Sequence, residues 1–217
     1  ALSLWLYAQI TINLTVYGTD NAAFSHVAAE RLIDGENPYA INDRAFIEET
    51  GQRFGVPATF ITATTDGKPL SNLMSWPAGS VLVVVPPLLL GMHDVRWIVV
   101  AFEIAVLVLL WFRAPAALRP LIVLPFAADP NLMIRFTGGG VMDFVWVLPV
   151  LASAIFLYAN RLGWAALLFG LAAGTKQQPW LLAPFLLIWV WYAHHDGTRV
   201  DRVRAAHDRG ALRRAVQ

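Results

Sequence analysis

Four side chains are of a type, and in a place, to do chemistry: Asp20, Arg135, Asp143 and Lys176. Asp20 follows directly on the first apolar run. A carboxylate there can take a proton from a hydroxyl as that hydroxyl attacks, which is general-base work. The same position, just before a helix, also suits an N-cap, and both readings stand. The stretch 130–143 holds Arg135, three successive glycines and Asp143 at a helix entrance. Backbone amides and the positive end of a helix suit a phosphate, and Asp143 could position a hydroxyl, although a glycine run alone reads as a tight turn. Lys176 interrupts two apolar helices. A charge near membrane depth is costly enough to need a partner or a task, and an anionic phosphate is the natural partner; the alternative is a lysine snorkelling to the interface.

Other polar groups carry less. Glu103 lies in the middle of an apolar run, paired with Arg135 or His93 or simply protonated, and no catalytic role is assigned to it. His194, His195 and Asp196 are adjacent rather than four apart, which is not metal-ligand spacing on a helix. With no cysteine there is no thiolate chemistry and no Cys-based metal site. No metal and no cofactor are expected.

The elements that must position these residues follow from composition. Hydrophobic residues make up 57% and charged residues 14%, against roughly a quarter charged in soluble domains. That balance predicts an all-α, polytopic transmembrane helical bundle, a single membrane domain over residues 1–217. The net charge of +1 gives no reason to expect nucleic acid, since six arginines crowd between Arg199 and Arg214. The chain opens inside an apolar run without Met, which is expected of a trimmed piece.

Residues 1–17 read as a first span. Residues 18–94 read as an external loop with juxtamembrane helices: one capped by Thr19 or Asp20 and ended by Gly35, and a second capped by Asn42 and closed by Gly51 and Gly55. A small hairpin or extended loop is expected around Asp66-Gly67. Trp76 to Leu90, with three prolines, is expected to return to its own side. Residues 95–193 carry five further spans, Val95–Phe112, Ala114–Ala128, Val141–Tyr158, Trp164–Gly174 and Trp180–Ala193, for about six in all. Arg113, Arg119, Arg161 and the basic tail 194–217 then share the cytoplasmic side, and Asp20, Asp143 and Lys176 share the outer one. The predicted location is the cell membrane, multi-pass, with an extracytoplasmic active face.

Asp20, followed by Gly35-Glu36-Asn37-Pro38-Tyr39, Trp76-Pro77-Ala78-Gly79, Gly139-Gly140-Val141-Met142-Asp143 and Lys176-Gln177-Gln178-Pro179-Trp180, resembles the N-terminal half of the GT-C membrane glycosyltransferases, the polyprenyl-phosphate-dependent family 87 group in particular. The resemblance implies a hexosyltransferase, with mannose the leading sugar, a polyprenyl-phosphate-linked donor, and a lipid, glycan or protein acceptor among membrane lipids. It implies Asp20 as general base, Asp143 as second acid, Lys176 and Arg135 as phosphate contacts, and Asn37, Tyr39 and Gln177 as acceptor or loop-shaping residues. Many members carry an acidic pair where this chain has Asp20-Asn21; a single acid suits a one-phosphate donor that needs no metal. Two rivals remain. A transporter or lipid flippase would use Glu103 and Lys176, though no inverted repeat supports it, and an inactive fragment of a membrane enzyme would show the same residues.

Overall fold

The computed structural model describes residues 16–39, 50–56, 76–121, 124, 129 and 137–195. Among them the regular elements are all helical. The chain divides into two compact units, Ala1–Gln177 and Gln178–Gln217. The first holds α1 (Asp20–Ile33), α2 (Gly79–Leu82), α3 (Val85–Leu89), α4 (Arg96–Arg113), a 3-10 turn (Ala116–Leu118), α5 (Asp143–Tyr158) and α6 (Leu162–Thr175). The second holds a 3-10 helix (Gln178–Leu182) that packs on α7 (Ala183–His195).

Each helix begins and ends where local chemistry dictates. α1 starts after Thr19, whose extended backbone (φ −141°, ψ 155°) places it as the N-cap. It ends in a turn in which the Glu36 N–H reaches back to the Arg31 carbonyl at 2.8 Å, with Gly35 at φ +79°, the left-handed residue such a terminus requires. The α1 face formed by Ala22, Ala23, Phe24, Val27 and Ala28 is buried. It packs on α2 and α3, in a core that also takes Tyr17, Phe54, Val84, Val99 and Val145. Burial of each of the larger side chains contributes about 1.5–3 kcal/mol. α5 and α6 form a helical hairpin across a turn with Asn160 at φ +58°, and Ser153 donates to the Ala165 carbonyl at 2.7 Å.

Helix positions follow the apolar runs, but the transmembrane assignment does not hold. Among the described residues no helix is long and apolar enough to cross a membrane, which overturns the expected polytopic bundle of about six spans with juxtamembrane helices. The reason is geometric. At 1.5 Å per residue, 16 residues in α5, 14 in α6 and 13 in α7 extend only about 20–24 Å, against a hydrocarbon core of about 30 Å. α4 reaches 18 residues but includes Arg96, Glu103 and Arg113. The segment 76–90 is two short helices, α2 and α3, split at Val83 and Val84. The first expected span apart from its last two residues, the expected cap at Asn42, the expected hairpin and the tail beyond residue 195 lie outside the described residues.

The contact of α2 with α6 depends on one glycine. A Cβ on Gly79 would run into the Gly174 carbonyl and sit 2.9 Å from Thr175 Cγ2. Two of those obstacles are main-chain atoms, so neither can turn aside. Gly79→Ala is therefore expected to destabilise the fold by about 1–3 kcal/mol, the usual range for overpacking. The shift of the urea midpoint measures this, and an unmoved midpoint would mean that the helices separate freely.

Candidate active site

Asp20 is the first helical residue of α1, and Asp143 is the first of α5. Lys176 is the C-cap of α6, its own N–H bonded to the Ala172 carbonyl at 3.2 Å. Each charge therefore lies at the helix end that favours it, anions at N-termini and the cation at a C-terminus. Lys176 Nζ pairs with Asp143 Oδ1. The same oxygen accepts a hydrogen bond from Trp146 Nε1 at 3.1 Å. The charge of Lys176 also lowers the proton affinity of Asp20, as the smallest of the influences on that carboxyl.

The loop 137–142 forms the other wall. Thr19 does not cap α1 with its side chain; its hydroxyl donates instead to the Gly139 carbonyl at 2.8 Å. The Met142 N–H donates to Asn21 Oδ1 at 3.3 Å. Gly140, at φ +74°, lies so close to α1 that an added Cβ would sit 2.6 Å from the Ala22 methyl. The glycine run is thus a close approach of main chain to helix. Arg96, 1% exposed, locks this wall. It forks onto Asp94 through Nε and an amino group at 2.6–3.0 Å, and its other amino group donates to the Val16 and Gly138 carbonyls at 3.0 and 3.2 Å.

Burial pushes the Asp20 carboxyl above its ordinary value, even though the amides of Asn21 and Asp20 and the charge of Lys176 all pull it down. An acid whose proton affinity is raised by desolvation is better suited to accept a proton than an exposed one. No family model, curated protein or solved structure matches the chain. The functional argument therefore rests on this geometry.

The remaining expected residues distribute unevenly. Tyr39 donates its hydroxyl to the Trp76 carbonyl at 3.1 Å, and its N–H bonds Asn37 Oδ1 at 2.9 Å. Trp76 in turn lines a narrow cavity with Asn21, Ser80, Met142 and Lys176, so Tyr39 is tied to a residue of the cavity that holds Lys176. Gln177 follows Lys176 and is half-buried. Arg135 lies outside the described residues. Glu103 is fully buried and accepts from Thr137 at 2.7 Å, whereas His93 is exposed. The residues that sequence reasoning missed are Trp146, Asn21 and Arg96. Only the Asp143–Trp146 spacing of three gave a signal, because such pairs share a helix face.

Proposed function

We propose that the chain transfers a hexose such as mannose from a polyprenyl-phosphate donor to an acceptor hydroxyl at the outer face of a membrane. The observation that carries this reading is the partly buried Asp20 carboxyl, raised in proton affinity within the field of Lys176, which itself pairs with Asp143. The acceptor oxygen attacks the anomeric carbon and its proton passes to Asp20. The bond from that carbon to the phosphate oxygen breaks with inversion, and the polyprenyl phosphate leaves with one additional negative charge. Lys176 has three N–H donors, of which Asp143 engages one; the others can meet the developing charge. Asp143 Oδ2 can position a hydroxyl.

The reading requires none of the described helices to cross a bilayer. Apolar side chains remain exposed, Leu90, Phe112 and Leu171 among them. The reading also requires movement: the cavity beside Lys176 is about 10 Å³, room for about one water, so its walls must part before a sugar enters. The test is transfer of labelled sugar from a panel of polyprenyl-phosphate sugars by the protein in membranes. Transfer from at least one donor is expected, and none from any donor would sink the proposal.

A further inference from the structure

α1 carries a second polar cluster on its C-terminal half. His26 and Glu30, four residues apart, share one helix face, with His26 Nε2 3.3 Å from Glu30 Oε1. Arg53 forks onto both Glu30 oxygens at 2.7 Å. On the far side, the Val95 N–H donates to the Tyr17 hydroxyl at 3.1 Å, and that hydroxyl lies 2.9 Å from His26 Nδ1. Burial holds His26 toward its neutral form, against the opposing pull of Glu30. A neutral ring with a carboxylate at Nε2 keeps its proton there and accepts the tyrosine proton at Nδ1. Every bond from Val95 to Arg53 thus has a fixed direction.

This cluster faces an open cavity of about 770 Å³, within the roughly 300–1,000 Å³ of small-molecule clefts. The opposite lining includes Asp34, Leu88, Met92, His93 and Asp94. Glu30 is answered by Arg53 and Asp94 by Arg96, which leaves Asp34 as the unanswered charge of the lining. The cleft offers a mixture of donors and acceptors. Asp34 and His93 have no side-chain partner among the described residues, and Ile33 and Leu88 supply an apolar strip. Hydroxyls that both donate and accept, on a ring with apolar C–H faces, match that lining.

We infer that the cleft binds a neutral oligosaccharide, and that it presents the acceptor to Asp20, which follows the lining residue Tyr17 by three positions. The acceptor role rests on the transferase reading; the binding does not. Isothermal titration calorimetry on the purified full chain tests it, with maltotriose and mannotriose as probes and spermidine and inorganic phosphate as comparators. At least one trisaccharide is expected to bind, and neither comparator. Asp34→Ala and His93→Ala, both at exposed positions, should each weaken binding about fivefold or more, equivalent to about 1 kcal/mol. Tyr158→Ala, at a surface position outside the cleft lining, should leave it unchanged. No binding by either trisaccharide, or binding indifferent to both cleft variants, overturns the inference. So does spermidine or phosphate binding that those variants abolish. Cleft-dependent binding without transfer from any donor removes the transferase and leaves the cleft; transfer without such binding does the reverse.

Discussion

Asp20→Asn is expected to lower sugar transfer by about a hundred- to ten-thousand-fold, the usual contribution of a positioned general base, while leaving the protein folded. The amide keeps the size of the side chain and an oxygen that can still accept the amides of the first turn of α1. It loses only the ability to take a proton. The pH dependence of stability supplies an independent readout. The folded-state affinity of Asp20 for its proton lies above its ordinary value of 3.8, so the folded chain binds more protons than the unfolded one in the window above 3.8. Stability from this group is greatest below that value and declines as pH rises toward the elevated folded value. Asp20→Asn should remove this decline, so the melting temperature of the variant, minus that of the parent, should increase with pH across the window. Glu30, held low by Arg53 and His26 against its own burial, contributes the opposite slope in both proteins and cancels in the difference. Transfer undiminished in the variant would reduce Asp20 to a first-turn carboxylate and move the base to Asp143.

The second large effect concerns Arg96. Replacement by Met should destabilise the fold by roughly 3–5 kcal/mol, the range for breaking a buried ion pair from one side, or on the order of 10 °C in melting temperature for a chain of this size. The loss has two parts. Asp94 keeps its charge at 17% side-chain exposure without the fork that neutralises it, and the Val16 and Gly138 carbonyls lose a shared donor. Arg96→Lys should recover little, since one ammonium cannot reproduce a planar fork while also reaching two carbonyls. Circular dichroism melts of the three proteins decide it. A Met variant within about 2 °C of the parent, or a lysine variant equal to it, would show that the clamp is dispensable.

Helix placement was legible in the sequence because apolar runs bounded by Gly, Pro and charge mark where helices lie. Val95–Phe112 became Arg96–Arg113, and Trp164–Gly174 became Leu162–Thr175. The environment of those helices was not legible. Hydropathy counts apolar residues but not the turns and 3-10 segments that shorten α5, α6 and α7 below a bilayer's width. It also missed Arg96, a charged residue that is nearly inaccessible. Of the candidate site, the importance of Asp20, Asp143 and Lys176 could be argued from position, because charges at helix ends are few in so apolar a chain. Arg96 and Asn21 could not, because they act on residues 42 and 121 positions away. No local spacing encodes such contacts.

The same separation bears on the order of assembly. Thr19 meets Gly139 across 120 residues, whereas Ser153 meets Ala165 across 12. The α5–α6 hairpin can form from neighbouring chain, but Asp20 is desolvated only once both distant segments have closed on each other. Until then it is an ordinary carboxylic acid, charged and solvated like any other. Its altered proton affinity is therefore a property of the assembled molecule and not of the residue alone.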